Sequence, residues 1–162
     1  MSDEPRFLIV RLGSLGDVVH AIPAASALRN RYPQARIDWM VDPRYVPLLD
    51  LVESLDDRIP IDPRAIARSG GRGAFFRCLW ERRRTRYDAV IDLQGLLKSA
   101  LLARLVGGRR TLGFPREHLR EPAARLFYTE TPDIGSATHV IHKNIALLRG
   151  VGVSDPRVRF PI

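Results

Sequence analysis

Short apolar runs alternate with amphipathic segments along the whole chain. The first run, Phe7–Val10, is continuously apolar, as in strands that are buried on both faces. This alternation is typical of β-α-β units, and it predicts a Rossmann-like α/β fold: an open, mostly parallel sheet with helices on both faces. The predicted strands are Arg6–Arg11, Arg36–Val41, Arg58–Ile61, Ala89–Leu93 and Arg110–Gly113. The predicted helices are Asp17–Arg31, Arg44–Leu51, Gly73–Arg84, Leu96–Val106, Arg120–Phe127 and Thr138–Gly150.

The turn between the first strand and the first helix carries two glycines and an aspartate. Gly13 and Gly16 allow unusual backbone angles or the close approach of a ligand, and Asp17 opens the helix. Open α/β sheets bind ligands at this edge, beyond the carboxyl ends of the strands. The G-x-x-G-D spacing is not a dinucleotide fingerprint, and no Lys-Ser/Thr pair completes a phosphate loop. Asp17 is therefore either a helix N-cap, an ionised general base, or both.

A second polar cluster follows the predicted strand Ala89–Leu93. Within YDAVIDLQGLLKS, this strand delivers Asp92, Gln94 and Gly95 to its carboxyl end, and the next helix carries Lys98. The carboxyl ends of parallel strands share one edge of the sheet, so we expect these groups near Asp17. The alternative is that Gln94 and Lys98 only satisfy backbone groups at the turn.

Composition narrows the class of protein. A chain of 162 residues with 45% hydrophobic residues is typical of one globular domain. No apolar run approaches the ~20 residues of a membrane span, and the N-terminus has no signal-peptide core. Cys78 is the only cysteine, which excludes an intrachain disulfide. We therefore expect a soluble, cytoplasmic protein.

Arginine dominates the net charge of +8. Of the 26 basic residues, only Lys98 and Lys143 are lysines. Guanidinium groups match carboxylates and phosphates, so the expected partner is an anionic small molecule, an anionic lipid headgroup or nucleic acid. Aromatic residues interleave weakly with the arginines, which argues against nucleic acid. Two basic stretches stand out: Arg64, Arg68, Arg72, Arg77, Arg82, Arg83, Arg84 and Arg86, and then Arg104, Arg109, Arg110, Arg116, Arg120 and Arg125.

Several other residues have ordinary structural interpretations. His20 lies one turn into a helix, where a structural role is more common than a catalytic one. His139 and His142 lack a third ligand for zinc. Trp39 and Trp80 are expected in or at the core, and Arg82–Arg84 as a solvated helix end that touches a membrane surface at most.

Three runs together, RLGSLGDVVHAIPA, YDAVIDLQGLLKSAL and REPAARLFY, resemble the lipopolysaccharide heptosyltransferase I family within glycosyltransferase family 9. The resemblance spans nearly the whole chain, although Arg11 and Leu12 occupy positions that vary in the family. It implies the amino-terminal half of a two-domain GT-B fold. On this basis residues 1–155 form the acceptor-binding domain, residues 156–162 begin the interdomain linker, and the carboxyl-terminal donor domain is absent.

The resemblance also implies a reaction. A heptose passes from ADP-L-glycero-β-D-manno-heptose to a Kdo sugar of the lipopolysaccharide inner core, with inversion and without a metal or other cofactor. The family's proposed general base corresponds to Asp17, and Gly13, Ser14 and Gly16 form the turn near the donor. The rival interpretation is a non-catalytic anion- or lipid-binding module.

The family binds its Kdo-lipid A acceptor with basic residues, at the inner face of the inner membrane. Arg120 matches the family's R-E-P position, and Gln94 and Lys98 match its Q-G-L-x-K-S run. Alternatively, Arg120 only pairs with Glu117 or Glu121. Further acceptor-binding candidates in the loop after the third strand are Arg64, Arg68 and Arg72.

Overall fold

The structure is a computed structural model that describes residues 4–68, 70–154 and 157–162. Five parallel strands form one sheet in the order β3-β2-β1-β4-β5. This confirms the predicted fold class, and each predicted strand is present to within a few residues. The strands are β1 (Arg6–Val10), β2 (Arg36–Val41), β3 (Asp57–Pro60), β4 (Ala89–Asp92) and β5 (Arg110–Leu112).

Helices cover both faces of the sheet. They are α1 (Leu15–Arg31), α2 (Val46–Leu49), α3 (Gly71–Arg83), α4 (Leu97–Val106) and α5 (Val140–Leu147). Three predicted helices were too long or of the wrong type. The segment Arg44–Leu51 divides into a 3₁₀ turn, Pro43–Tyr45, and the single turn α2. The predicted helix Arg120–Phe127 is the 3₁₀ segment Pro122–Phe127, and the end of the last helix is the 3₁₀ turn Leu148–Val151.

Alternating side chains of β1 build a core on each face of the sheet. Phe7 and Ile9 pack with α1 and α5, whereas Leu8 and Val10 pack with α3 and α4. Such two-sided burial explains why β1 is continuously apolar. Because both faces are covered, the polar groups that follow the strands are confined to the edges of the sheet.

The expectation of a buried Trp80 was wrong, and that of a solvated helix end holds for Arg83 and Arg84, which are exposed, but not for Arg82. Trp39 is fully buried, but Trp80 is 61% exposed on the outer face of α3. Arg82 is not a solvated helix end, because its guanidinium pairs with Asp57 at 2.8 Å. Arg83 donates a hydrogen bond to the Leu105 carbonyl oxygen at 2.8 Å and so ties α3 to α4.

The sheet order changes direction between β1 and β4. The loops after these two strands therefore diverge to opposite faces and leave a crevice at their carboxyl ends. The predicted domain boundary falls on residues 155 and 156, which lie outside the described residues. None of the helices in the described part of the chain has the length and apolarity that crossing a bilayer requires.

Candidate active site

A cleft of about 830 Å³ opens at the crevice between β1 and β4. It is lined by segments that follow β1, β2, β3, β4 and β5, and by the start of α5. Charged and polar side chains are prominent in its wall. The residues with ionisable side chains are Arg11, Asp17, Asp42, Arg44, Tyr45, Asp62, Arg64, Lys98, His118, Arg120 and Lys143. The others are Leu12, Gly13, Ser14, Pro63, Leu93, Gln94, Leu96, Phe114, Thr138, Val140 and Asn144.

Asp17 lies in the first turn of α1, at the wall of the cleft. Ser14 is the N-cap of this helix, so the hypothesis that Asp17 is the N-cap was wrong. Asp17 is the third helical residue, and its Oδ2 accepts hydrogen bonds from the Ser14 backbone N–H at 3.1 Å and the Ser14 hydroxyl at 3.0 Å. Asp17 thus caps the start of α1 from its third helical position, and it also lines the cleft.

Arg11 is the charged partner of Asp17. Its Nη2 lies 2.9 Å from Asp17 Oδ2, and its side chain is 9% exposed against 41% for Asp17. Burial raises the pKa of Asp17, but the hydrogen bonds from Ser14 and the Arg11 charge outweigh it and hold this pKa below its usual value. A carboxylate in this position is ionised at neutral pH, as a general base must be.

Asp92 organises the turn that follows β4. This fully buried carboxylate accepts hydrogen bonds from the backbone N–H groups of Gln94 and Gly95 and from the hydroxyls of Ser99 and Tyr128. Burial raises its pKa, and these four donors oppose the rise. The turn in this way places Gln94 at the cleft.

Gln94 connects the two loops at the sheet edge. Its Oε1 accepts a hydrogen bond from the Leu12 backbone N–H at 2.8 Å. Gln94 therefore does satisfy a backbone group, but this group belongs to the loop after β1 and not to the turn after β4, as the alternative interpretation required. Gln94 also lines the cleft.

Lys98 and Arg120 are cations that line the cleft from two different segments. Both are exposed, and neither forms a hydrogen bond or ion pair with the described residues through its side chain. The alternative, a pairing of Arg120 with Glu117 or Glu121, does not occur among the described residues, and Glu121 Oε2 instead accepts a hydrogen bond from the Leu97 backbone N–H at 2.6 Å. Lys98 and Arg120 are thus available to an anion.

Only one of the three predicted loop arginines lines the cleft. Arg64 does so, while its guanidinium pairs with Asp62 at 2.9 Å and approaches Asp42 at 3.6 Å. Arg68 pairs with Asp62 from outside the wall, at 3.4 Å. Arg72 donates a hydrogen bond to the Ile66 carbonyl oxygen.

Sequence reasoning missed two aspartates of the cleft wall. Asp42 and Asp62 follow β2 and β3, and each caps a 3₁₀ turn by accepting a hydrogen bond from the backbone N–H two residues later. The tripeptide Asp-Pro-Arg occurs at both places, at positions 42–44 and 62–64. The strand-end rule that selected Asp17 also selects these positions, and the repeated tripeptide was the available signal.

The start of α5 contributes a wall that the sequence did not reveal. Asn144 is 1% exposed, its Nδ2 donates a hydrogen bond to the His20 carbonyl oxygen at 3.2 Å, and its Oδ1 has no partner among the described residues. Its distance along the chain from the other site residues hid this contribution.

The rings of three histidines lie close together in this region. The rings of His20 and His142 each lie about 6 Å from that of His139. The described residues contain no group of three or more His, Cys, Asp or Glu side chains placed to hold a metal ion. His20 is not among the residues that line the cleft.

A family model described as glycosyltransferase family 9 (heptosyltransferase) matches residues 75–157. Lipopolysaccharide heptosyltransferase 1 of Escherichia coli (strain K12) is 32% identical over 95% of this chain and 50% of its own length. The same-named protein of Pseudomonas aeruginosa is 32% identical over 85% of this chain and 40% of its own length. The chain thus spans about half the length of the curated relatives it matches.

Solved structures show the same relationship. The E. coli heptosyltransferase WaaC with ADP-2-deoxy-2-fluoro heptose superposes with a TM-score of 0.85 and 28% identity, over 95% of this chain and 50% of WaaC. E. coli ADP-heptose lps heptosyltransferase II superposes with a TM-score of 0.69 over 88% of this chain and 39% of its own; at 23% identity it shows the shared fold alone.

Proposed function

Because the chain belongs to glycosyltransferase family 9, we propose that it is the acceptor-binding half of an inverting heptosyltransferase. The transferred sugar is L-glycero-D-manno-heptose, the donor is ADP-heptose, and the acceptor is Kdo of the lipopolysaccharide inner core. A donor-binding domain beyond this chain completes the enzyme, and residues 156–162 begin the link to it. The similarity to heptosyltransferase 1 supports this function over a non-catalytic anion-binding module.

The observation that carries the proposal is the ionised carboxylate of Asp17 in a cleft at the topological switch point. Asp17 takes the proton of the acceptor hydroxyl as that oxygen attacks the anomeric carbon. The bond from the anomeric carbon to the phosphate oxygen breaks, and its electron pair leaves with ADP. One carboxylate suffices for this displacement, because a diphosphate leaves without prior protonation.

Cations in the cleft fit the proposed acceptor. Kdo carries a carboxylate and lipid A carries phosphates, both of which suit guanidinium and ammonium groups. Lys98 and Arg120 have no acidic partner among the described residues. Arg64 lies on the opposite wall and has two acidic partners, Asp62 and Asp42. Arg68 and Arg72 stand outside the wall and contribute to acceptor binding at longer range. Gln94 positions the acceptor beside Asp17.

The donor approaches the turn formed by Gly13, Ser14 and Gly16. This turn lies at the start of α1, where the helix dipole favours an anionic group. The proposal includes no metal or other cofactor, so positively charged side chains must stabilise the departing diphosphate. We assign most of these side chains to the donor-binding domain.

We further propose that the outer face of α3 and α4 rests on an anionic bilayer at the inner face of the inner membrane. Phe76 and Trp80 are more than half exposed on α3, and an exposed leucine stripe runs along α4. Large exposed apolar patches mark interaction surfaces, and aromatic side chains with basic neighbours suit a lipid interface. The stripe consists of Leu97, Leu101 and Leu105.

The charge of this face favours an anionic lipid. Arg77, Arg84, Lys98 and Arg104 are exposed on or next to these helices, and Glu81 is the one acidic residue in α3 and α4. Each basic group near an anionic surface contributes ~1 kcal/mol of attraction. Since Lys98 also lines the cleft, this face would present the cleft to a lipid-anchored acceptor.

Vesicle sedimentation tests the membrane contact. We expect the chain to bind phosphatidylglycerol vesicles, to ignore phosphatidylcholine vesicles, and to lose roughly tenfold in affinity in the double variant Trp80→Ser, Leu101→Ser. Leu51→Ser is the control, because Leu51 is as exposed as Trp80 but follows α2 on the other face of the sheet. Equal binding by both variants would contradict the proposed face.

Calorimetry with a soluble Kdo-lipid A analogue tests the acceptor assignment in the 162-residue chain itself. We expect micromolar-range binding that weakens in Arg120→Ala and persists in Asp17→Asn, which keeps the shape of the base. Nucleic acid of equal charge should not compete. Binding that is indifferent to Arg120, or displaced equally by RNA, would contradict the proposal.

A further inference from the structure

Arg11 is a buried cation that the proposed reaction does not yet use. Its backbone is fixed in an extension of β1, because its N–H donates to the Met40 carbonyl oxygen and its own carbonyl oxygen accepts from Trp39 Nε1 at 3.0 Å. Its Nη1 donates to the Leu93 carbonyl oxygen at 2.6 Å, and its Nη2 contacts Asp17 Oδ2 at 2.9 Å. The guanidinium thus bridges the end of β4 and the first turn of α1.

These contacts make the two oxygens of Asp17 unequal. Oδ2 receives three donors: Arg11 Nη2, the Ser14 N–H and the Ser14 hydroxyl. Oδ1 has no hydrogen bond to any described residue. A saturated oxygen is a poor proton acceptor, so Oδ1 is the free basic position of this carboxylate.

We propose that Arg11 is a positioning residue: it fixes Asp17 Oδ2 and so presents Oδ1 to the acceptor hydroxyl. This rests on the proposed function. The hydroxyl proton moves to Oδ1, while the new bond to the anomeric carbon forms and the diphosphate leaves with its electron pair. Arg11 takes no part in these bond changes and stabilises the carboxylate only before transfer.

Stability alone does not account for Arg11. The guanidinium is nine-tenths buried, and its Nε has no partner among the described residues. An unpaired buried donor carries a desolvation penalty, and a buried ion pair is often no more stabilising than apolar residues of similar volume. Arg11→Met removes the buried charge and leaves behind an Asp17 carboxylate that is 41% exposed to water, so we expect the variant to fold while losing the positioning effect.

Among the charged side chains of the described residues, Arg11 is the one that lowers the pKa of Asp17, and it does so together with the hydrogen bonds from Ser14. Of the charged side chains that line the cleft, Arg11 is the one in the described residues that contacts this carboxylate. The Asp92 charge also acts on Arg11: burial lowers the pKa of Arg11, and both aspartates oppose that effect. Removing Arg11 should accordingly raise the pKa of Asp17.

The first test needs no catalysis. We expect the side-chain carboxyl carbon of Asp17 in the 162-residue chain, followed by NMR, to titrate at higher pH in Arg11→Met than in the wild type. Arg44→Met is the matched control: it removes a cleft cation that pairs with Asp42 and does not contact Asp17. An unchanged Asp17 titration in Arg11→Met would overturn the proposal.

The second test uses the chain joined to a donor-binding half. We expect Arg11→Met to lower kcat about tenfold or more at neutral pH, with little change in the acceptor KM, and to move the acidic limb of the rate profile to higher pH. Arg11→Lys should recover the position of the limb but not the full rate, because a single ammonium lacks the two-pronged geometry. An unmoved limb with full activity would overturn the proposal. Absence of transfer by the wild type would instead count against the proposed function, and the NMR titration would still report on Arg11.

Discussion

Arg120, like Lys98, is a cation of the cleft whose side chain has no hydrogen bond or ion pair with the described residues. Its side chain contacts no acidic residue in the described part of the chain, so removing it leaves no partner unpaired. We predict that Arg120→Ala lowers acceptor affinity about tenfold or more, in line with the loss of one charge-assisted contact, and leaves the free energy of unfolding within about 0.5 kcal/mol. Calorimetry and urea denaturation measure the two quantities.

Arg109→Ala is the matched control for Arg120→Ala. Arg109 is also exposed, but it precedes β5, at the amino ends of the strands, and does not line the cleft. The control should retain acceptor affinity. A similar loss in both variants would indicate a general effect of net charge and not a binding residue.

Asp17 makes stability depend on pH. Its pKa in the folded chain lies below the usual value of about 4, so its ionised form stabilises the fold above that pH, and this contribution disappears as pH falls through the lowered pKa. We predict that the difference in unfolding free energy between wild type and Asp17→Asn shrinks from pH 7 to pH 3, measured by urea denaturation. A constant difference would show that the Arg11 and Ser14 contacts do not stabilise the charge.

The strand-end rule found many residues of the cleft wall but not all of them. Asp17, Gln94 and Lys98 follow β1 and β4 directly, so local pattern and sheet geometry sufficed. Asn144 could not be predicted in this way, because α5 reaches the cleft only through its packing on α1, which is a tertiary property. The ion pair of Arg11 with Asp17 was not predicted either, because it depends on how the turn between β1 and α1 folds.

At the scale of elements, the turn after β4 depends on a single glycine. Gly95 has φ of +72°, and a Cβ there would lie 3.1 Å from Leu119 Cδ2. We predict that Gly95→Ala destabilises the chain by about 1–3 kcal/mol in urea denaturation. Gly16→Ala is the control, because its added methyl would meet no atom within 4 Å and lies in α1, where alanine is the better helix former. Equal destabilisation by both would contradict this account.

The Asp92 network joins that turn to the segment after β5. Tyr128 donates to Asp92 Oδ2 at 2.6 Å in a fully buried site. We predict that Tyr128→Phe costs about 1.5–3 kcal/mol of unfolding free energy, the range for hydrogen bonds to charged groups. The control Tyr45→Phe should cost little, since the Tyr45 hydroxyl makes no hydrogen bond with the described residues. An unchanged unfolding free energy in Tyr128→Phe would mean that the other hydrogen bonds to Asp92 suffice without the Tyr128 hydroxyl.

Strands were predicted better than helices for a physical reason. Strands β1 and β4 are short, buried on both faces and apolar except for one terminal residue each, which is a pattern that the sequence displays directly. The segments Pro43–Tyr45 and Pro122–Phe127 have helix-like composition, but each is short, and 3₁₀ helices occur as short pieces. The exposure of Trp80 was equally unpredictable, because an isolated aromatic residue on a helix is ordinarily buried.

At the scale of the whole molecule, the order of the strands and the distribution of charge together define the site. The order β3-β2-β1-β4-β5 places the crevice between β1 and β4, and the cations that line it come from segments far apart in the chain. Alternation of apolar and amphipathic segments predicted the parallel sheet. The chain spans about half the length of its relatives, and we propose that the site it carries is the acceptor side of the enzyme.

The most direct measurement is heptose transfer from ADP-heptose to a Kdo-bearing acceptor by this chain joined to the carboxyl-terminal half of E. coli heptosyltransferase 1. We predict transfer with Asp17 and a loss of about a hundredfold or more in kcat with Asp17→Asn, while acceptor affinity remains within about twofold. Transfer at an undiminished rate by Asp17→Asn would contradict the central claim that this carboxylate is the base.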